Sequence, residues 1–183
     1  AFDERRRQAV RAQLPPNSVA VFFANPVRNR ANDVDFHYHQ APNFYYLTGL
    51  KEPHAVLLIY KEAQVVDGIT MDDVLFVQER DPLREQWDGY RLGIAGAKEK
   101  LGFPNVFFNT QFTDFKTDFN RFDQVLFFDF NNDVRDDVRN NADLFSLINS
   151  FKDKANFPLE FNVDKTSLYR SLTTSDAKRS ANV

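Results

Sequence analysis

The segment HAVLLIY, residues His54 to Tyr60, gives the strongest strand prediction in the sequence. After its histidine the segment is continuously apolar and rich in branched side chains, which is typical of a strand covered on both faces of its sheet. Such a strand needs packing elements above and below it. The segment therefore predicts a layered domain with this strand inside the sheet.

Further strands are predicted on both sides of this segment, at Val19–Ala24, Val74–Val77, Val106–Phe108 and Gln124–Phe130. A polar turn that carries Asp67-Gly68 and Asp72-Asp73 connects HAVLLIY to Val74–Val77. Two strands joined in this way could be antiparallel neighbours. The segment Asn25–Asn32 is expected to be a polar loop.

Helices are predicted between the strands. Asp3 is expected to cap a first helix that ends at Pro15-Pro16, because proline cannot donate to the helix ladder. Asp81-Pro82 starts a short helix that Gly89 ends. Two more helices are predicted at Ala95–Leu101, closed by Gly102, and at Asp137–Phe151.

Four phenylalanines recur at helical spacing after Thr110, which is expected to cap their helix: Phe112, Phe115, Phe119 and Phe122. The period indicates a helix that buries its phenylalanine stripe in the core. Strands that alternate with helices favour an α/β fold with three layers, a mixed sheet carrying helices on both faces.

Composition excludes several kinds of site. The chain has no cysteine, so disulfides, thiolate chemistry and sulfur ligands for metals are ruled out. A net charge of −3 gives no general attraction to nucleic acid or anionic lipid. The basic run Arg5-Arg6-Arg7 is expected to be a solvated helix face. No apolar segment has the length of a membrane span, and we expect a soluble, cytoplasmic protein.

Familiar catalytic signatures are missing from the sequence. It contains neither a G-x-S-x-G serine elbow nor a phosphate-binding glycine loop. Asp129-x-Asn131-x-Asp133 has the start of a calcium loop, but Val134 stands where the loop needs glycine and Asn140 where it needs glutamate. This pattern favours a polar loop that precedes a helix.

The stretch DVDFHYHQAPNFYYLTG, Asp33 to Gly49, is dense in aromatic rings. Most of these rings should be buried, while the tyrosine hydroxyls and the histidines need a polar edge such as a cleft wall or a subunit contact. His37 and His39 alternate and could bind a metal with Asp33, Asp35 or His54, although ordinary hydrogen-bonded histidines are favoured.

Trp87 is the single tryptophan and precedes the turn Asp88-Gly89-Tyr90. A ring of this size is usually buried, which favours a core position. Its place before a glycine-bearing turn also allows a ring displayed at an interface. The residues leave both interpretations open.

Short motifs along most of the chain resemble the amino-terminal domain of the Xaa-Pro aminopeptidase (aminopeptidase P) family. They include Asp33-x-Asp35-Phe36, Asn43-Phe44-Tyr45-Tyr46, Leu47-Thr48-Gly49, Glu52-Pro53, Arg80-Asp81, Glu85-x-Trp87-x-Gly89, Arg91-Leu92-Gly93 and Glu99-Lys100-Leu101-Gly102. The resemblance implies the creatinase/prolidase amino-terminal fold, which is ribonuclease H-like. Residues 1–172 would form this domain, and residues 173–183 would start a linker to an absent carboxy-terminal catalytic domain.

The resemblance also implies a function. The intact parent would be a manganese-dependent aminopeptidase that removes the residue before proline, with two manganese ions in its catalytic domain. This fragment would hold no catalytic residue or metal ligand and would be inactive alone. It would support a homo-oligomer and wall the active site. Trp87 would be lent to a neighbouring subunit's substrate pocket, and Asp33 would join a polar network near that site.

Two other functions stay open at the level of sequence. One is a free-standing binding module that uses the aromatic stretch Phe36 to Tyr46. The other is an independent nuclease-like enzyme that uses Asp129 and its neighbouring acids, which rests on fold analogy alone.

Overall fold

A computed structural model describes residues 2–25, 29–31, 34–35, 38, 40–127 and 144–155. Its strands are β1 (Ser18–Phe23), β2 (Asn29–Ala31), β3 (Val34–Asp35), β4 (Val56–Val66), β5 (Ile69–Val77), β6 (Val106–Phe108) and β7 (Gln124–Phe127). Its helices are α1 (Phe2–Gln13), α2 (Pro42–Thr48), α3 (Pro82–Asp88), α4 (Gly93–Leu101) and α5 (Leu144–Lys154). None of the described helices is long and apolar enough to span a membrane.

The central sheet has five strands in the order β6-β5-β4-β1-β7. β4 lies in the middle and pairs antiparallel with β1 and with β5. The outer strands β7 and β6 run parallel to β1 and β5, so the sheet is mixed. Residues 56–60 of β4 are fully buried, which confirms the prediction from HAVLLIY.

Side chains of the sheet alternate between two cores. Leu57 and Ile59 point into one core with Val10 and Leu14 of α1 and residues of α2 and α4. Leu58 and its neighbours on the same face point into a second core with α5 and the phenylalanines after β6. Each fully buried leucine or phenylalanine contributes about 1.5–3 kcal/mol. Helices therefore cover both faces, and the predicted three-layer arrangement is confirmed.

The phenylalanine stripe is buried without forming the predicted helix. Phe112, Phe115 and Phe119 are buried, but the backbone from residue 109 to 121 forms two short 3₁₀ turns, Asn109–Gln111 and Phe119–Arg121, and a loop. The rings of Phe112 and Phe115 meet Phe76 edge to face at centroid distances of 5.1 and 5.0 Å. Because the loop already seats both rings against the sheet, burial does not require helical geometry.

Polar side chains hold this loop in its irregular path. Asn109 Nδ2 donates to the carbonyl oxygen of His54 at 2.8 Å, and Asp118 Oδ1 accepts from the backbone N–H of Asn120 at 3.0 Å. The Thr110 hydroxyl donates to Glu79 instead of capping a helix. Local side-chain bonds of this kind compete with helix formation.

The basic run is only partly solvated. Arg5 is exposed, but Arg7 is 1% exposed, so the prediction of a solvated face is wrong for this residue. Arg7 Nε donates to Asp73 Oδ2 at 3.0 Å and its Nη1 to the Leu47 carbonyl oxygen at 3.0 Å. The guanidinium also lies 3.8 Å from the centroid of the Phe103 ring. A buried acid on β5 thus draws one arginine of the run inward.

Several predicted boundaries shift. Asp3 lies inside α1, which begins at Phe2, so Asp3 is not its cap; its carboxylate pairs with Arg6 at 3.3 Å instead. β2 occupies part of the predicted loop Asn25–Asn32 and pairs with β3. Asp72 and Asp73 belong to β5 instead of a turn. The predicted boundary at residues 172 and 173 lies outside the described residues.

Candidate functional site

Three large apolar side chains are exposed on α3 and in the turn that follows it. Leu83 is 75% exposed, Trp87 88% and Tyr90 63%. Leu83 and Trp87 are four residues apart, so both lie on one side of the helix. The interpretation of Trp87 as a core residue is therefore wrong. We call Leu83, Trp87 and Tyr90 the Trp87 patch.

The sequence around α3 fixes where the helix starts and ends. Asp81 Oδ1 accepts from the backbone N–H groups of Leu83 and Arg84, each at 3.2 Å, and Pro82 occupies the first turn. At the other end Gly89, with φ of 91°, donates its N–H to the Glu85 carbonyl oxygen at 3.1 Å. The predicted cap, proline and closing glycine are confirmed, and they place Trp87 in the last turn.

An ion pair between Arg80 and Glu85 braces the chain around the patch. Arg80 Nε donates to Glu85 Oε1 at 2.8 Å and Arg80 Nη2 to Oε2 at 3.2 Å. The same guanidinium lies 4.5 Å from the centroid of the Tyr90 ring. Glu85 Oε1 also accepts from the backbone N–H of Arg91 at 2.7 Å. The hydrogen bond from Arg80 lowers the pKa of Glu85, which keeps that carboxylate charged.

A second carboxylate reaches the same turn from a remote part of the chain. Glu52 Oε2 accepts from the backbone N–H of Leu92 at 3.0 Å. Glu52 Oε1 is buried and has no hydrogen-bond partner among the described residues. Burial raises the pKa of Glu52, although the Leu92 N–H and the charge of Arg91 oppose that rise.

Gln40 connects the aromatic stretch to Glu52. Its Nε2 donates to the Glu52 carbonyl oxygen at 2.8 Å, and its Oε1 accepts from the Asn25 N–H at 2.9 Å. The Tyr38 hydroxyl lies 2.8 Å from Gln40 Oε1, and burial raises the pKa of that hydroxyl. The described residues therefore join this stretch to the Trp87 turn through Glu52.

The rings of the aromatic stretch have different environments. Phe44 is buried, whereas Tyr45 is exposed and Tyr46 is partly buried. The Arg6 guanidinium lies 4.1 Å from the centroid of the Tyr46 ring. The expectation of burial is confirmed for Phe44 and is wrong for Tyr45.

Several predicted site residues fall outside the described part of the chain: Asp33, Phe36, His37, His39, Asp129, Asn131 and Asp133. His54 is one of the candidate third metal donors beside His37 and His39. Its Nδ1 accepts from the Leu144 N–H at 3.0 Å. Within the described residues, no group of three or more His, Asp or Glu side chains is placed to hold a metal ion.

Residues 3–126 match the family model described as "Aminopeptidase P, N-terminal domain". The chain belongs to this family. The resemblance carried by the short motifs is thereby confirmed. The aminopeptidase P N-terminal fold also accounts for the mixed sheet with helices on both faces.

Curated relatives of this aminopeptidase P domain include Xaa-Pro aminopeptidases. The chain is 42% identical over 98 residues to the one from Haemophilus influenzae, covering 54% of this chain and 22% of that protein. It is 43% identical over 99 residues to the one from Escherichia coli, covering 54% and 22%. The chain thus spans about a fifth of these curated relatives.

Solved structures of aminopeptidase P also match this chain over part of their length. E. coli aminopeptidase P with the inhibitor Pro-Leu superposes with a TM-score of 0.63 at 32% identity, over 82% of this chain and 32% of that one. Pseudomonas aeruginosa aminopeptidase PepP superposes with a TM-score of 0.61 at 34% identity, over 84% and 33%. The fold is shared with about a third of each solved chain.

The structure gathers motifs that were recognised separately in the sequence. Glu52, Arg80 and Glu85 surround the turn that contains Arg91-Leu92-Gly93, and Trp87 precedes it. Sequence reasoning did not identify Glu52 or Arg80 as site residues. The Arg80–Glu85 contact joins residues five positions apart and the contact of Glu52 with Leu92 spans 40 positions, so neither follows from helical spacing.

Proposed function

We propose that this chain is the non-catalytic amino-terminal domain of a metal-dependent Xaa-Pro aminopeptidase. In this proposal the Trp87 patch forms part of an oligomer contact and of the active-site wall of a neighbouring subunit. The observation that carries the proposal is a tryptophan that is 88% exposed on a helix fixed at both ends, in a chain of the aminopeptidase P N-terminal family. Large apolar side chains held in the open are typical of interaction surfaces.

The proposal assigns hydrolysis to a catalytic domain in the same polypeptide. Support comes from the share of the relatives that this chain covers, which leaves most of their length for other domains. The described residues do not fit a dinuclear metal site, since no ligand group is placed for one. Two manganese ions would belong to that other domain, where bound metal supplies an activated water and polarises the scissile carbonyl. By itself this chain would be inactive.

The proposed substrate is a peptide with proline in second position. E. coli aminopeptidase P was solved with the inhibitor Pro-Leu, which supports a proline-containing ligand for the family. An indole face offers a large rigid apolar surface on which a pyrrolidine ring or a following side chain can pack. Because Trp87 is almost fully exposed in this chain, such packing would remove most of its surface from water.

Activity measurements test the proposal. The polypeptide from the full reading frame should cleave a short X-Pro peptide with manganese, whereas residues 1–183 alone should not. Trp87→Ala in the longer protein is expected to raise KM about tenfold, the effect of losing a buried aromatic contact. Ile69→Ala, which truncates a half-exposed side chain on β5, is the matched control. Activity of the fragment alone, or equal effects of the two variants, would contradict the proposal.

Sedimentation velocity tests the oligomer. The intact protein should form a homo-oligomer that Trp87→Ala or Leu83→Ala weakens, because both side chains are exposed on α3. A monomer at micromolar concentration would remove the neighbouring subunit that the proposal requires.

Two parts of the proposal concern residues outside the described part of the chain or the location in the cell. Asp33 is proposed to join a polar network near the substrate, and Asp33→Asn should then alter KM. The intact protein is proposed to be cytoplasmic, which a cysteine-free composition permits. Cell fractionation tests this location.

No observation favours the two other functions. A binding module built on Phe36 to Tyr46 would use the ring of Phe44, which is 1% exposed and already packed in the core. Phe36 and Asp129 lie outside the described residues, so the described structure gives no support to the aromatic ligand surface at Phe36 or to the nuclease site.

A further inference from the structure

The turn after Trp87 is held by two carboxylates that accept from consecutive backbone amides. Glu85 accepts from the N–H of Arg91 at 2.7 Å, and Glu52 accepts from the N–H of Leu92 at 3.0 Å. Glu85 lies on α3 itself, whereas Glu52 lies between α2 and β4. The turn is therefore attached both to its own helix and to a different part of the domain.

We propose that Glu52 is the positioning residue of the Trp87 patch, which it fixes against the central sheet and the aromatic stretch. The inference rests on the proposed function where it concerns substrate, but the positioning itself can be tested without activity.

Several other ties of the turn are local. The Arg80–Glu85 pair and the contact of Arg80 with Tyr90 join residues at most ten positions apart. Arg91 Nη1 donates to the Glu79 carbonyl oxygen at 3.1 Å, and residue 79 leads directly into α3. These ties make the segment from residue 79 to 91 internally stiff. At the two ends of the segment the Thr110 hydroxyl donates to Glu79 Oε1 at 3.0 Å and Leu92 packs against the core. Glu52 is a remote side chain whose hydrogen bond reaches the turn between these ends.

Glu52 has the anchorage that such a role requires. Gln40 Nε2 donates to the carbonyl oxygens of Leu50 at 3.2 Å and of Glu52 at 2.8 Å. A few residues later the chain enters β4, where Val56 is fully buried in the centre of the sheet. The carboxylate of Glu52 therefore extends from a rigid base to a turn at the surface.

The position of the Glu52 carboxylate has an energetic cost. Its carboxylate is partly buried, and Oε1 has no hydrogen-bond partner among the described residues, an arrangement that costs free energy. The charged groups that face it are Arg80, Arg91 and Glu85, and the buried hydroxyl of Tyr38 is also close. Glu85 opposes the Glu52 charge while the arginines favour it. A glutamine would keep the Leu92 contact without burying a charge.

Trp87 is the single tryptophan, so its fluorescence reports on the patch alone. In time-resolved anisotropy of the 183-residue chain, Glu52→Ala is expected to raise the amplitude of the subnanosecond component about twofold, because that component reports local ring motion. Glu52→Gln should match the wild type, since its amide oxygen still accepts from Leu92. Glu62→Ala is the matched control: Glu62 also accepts a backbone N–H, that of Asn17, on a remote part of β4.

A second variant removes the donor instead of the acceptor. Leu92→Pro deletes the N–H that Glu52 holds, and Leu92 already has φ of −68°, which proline adopts. Circular dichroism establishes that each variant is folded. If Glu52→Ala does not fold, Leu92→Pro is compared with Leu92→Ala, which keeps the N–H and truncates the same side chain at the core. Ring motion equal to that of the wild type in a folded Glu52→Ala variant, or otherwise equal to that of Leu92→Ala in Leu92→Pro, overturns the positioning role.

Kinetics of the polypeptide from the full reading frame separate this inference from the proposed function. Glu52→Ala should raise KM severalfold with kcat nearly unchanged, and Glu52→Gln should restore KM. Greater ring motion together with an unchanged KM would keep Glu52 as the positioning residue and reject the pocket role of Trp87. Unchanged ring motion would reject the positioning role, whatever the kinetics show.

Discussion

Replacing Asp73 by alanine is expected to destabilise the domain by about 3 kcal/mol, since removing one partner of a buried ion pair costs about 3–5 kcal/mol. Asp73 Oδ2 accepts from Arg7 Nε at 3.0 Å and from Arg11 Nη2 at 3.3 Å. Arg7 is 1% exposed. In the variant the Arg7 guanidinium would therefore have no carboxylate partner and would stay buried away from solvent.

The remaining contacts of Arg7 place the expected cost at the lower end of the range. Arg7 keeps its hydrogen bond to the Leu47 carbonyl oxygen and its position over the Phe103 ring. A desolvated cation–π contact is worth about 2 kcal/mol. Arg7→Met should cost less than Asp73→Ala, because Asp73 would still be paired with Arg11.

A surface ion pair of similar length is the control. Lys116 Nζ lies 2.8 Å from Asp67 Oδ1, but the two side chains are 71% and 62% exposed. Solvent screens exposed pairs, so Lys116→Ala should have little effect on the free energy of unfolding. Comparing it with Asp73→Ala holds the interatomic distance nearly constant and changes the burial.

Urea unfolding followed by far-ultraviolet circular dichroism measures the free energy of unfolding for each variant. Equal m values would show that the variants expose similar surface on unfolding, so that the midpoints can be compared. A cost for Asp73→Ala no larger than that for Lys116→Ala would refute the argument that burial makes this pair important.

Three further predictions concern single side chains. Gly93→Ala should destabilise the fold by about 1–3 kcal/mol, measured by urea unfolding, because Gly93 has φ of 64° and an added Cβ would lie 2.8 Å from Arg80 Cγ; a smaller loss would show that Arg80 yields. Tyr60→Phe should cost about 1–3 kcal/mol, since it leaves the buried Thr117 hydroxyl without its 2.6 Å partner; an unchanged melting temperature would contradict this. Burial raises the pKa of Glu52, so the folded state binds the proton more tightly than the unfolded state, and the wild type should lose stability as pH rises from about 4 through that raised pKa. Glu52→Gln should lack this loss, and parallel pH profiles of the two proteins would rule the explanation out.

The buried part of each strand of the central sheet could be predicted from the sequence because it is a short apolar run. The polar extensions of β4 to Val66 and of β5 back to Ile69 were not predicted, because they lack that pattern. HAVLLIY required cover on both faces, and the two cores supply it. The start and end of α3 followed from Asp81, Pro82 and Gly89, whose conformational preferences are local. Such features depend on residues that are close in the sequence, so they are the same before and after the chain folds.

The errors have a different origin. A spacing of three and four residues between phenylalanines indicates that their rings are buried on one side of the segment. A loop with two 3₁₀ turns buries them on one side as well, so the spacing does not require a helix. Arg7 is buried because Asp73, 66 positions away, faces it. Trp87 is exposed because its helix buries little of itself. In each case the outcome depends on a partner, or its absence, at long range in the sequence.

The same long-range argument links the family motifs to the proposed function. Glu52-Pro53, Arg80-Asp81 and Arg91-Leu92-Gly93 are separate along the chain, and of these residues Leu92 packs against the core and Gly93 is buried. In the fold these motifs meet around one turn. Glu52 and Glu85 accept hydrogen bonds from neighbouring backbone amides of that turn, and Trp87 is exposed beside it. A network that includes a partly buried carboxylate with an unsatisfied oxygen costs stability. In the proposed function this network holds the exposed ring in a fixed position, from which it contacts a neighbouring subunit or a substrate.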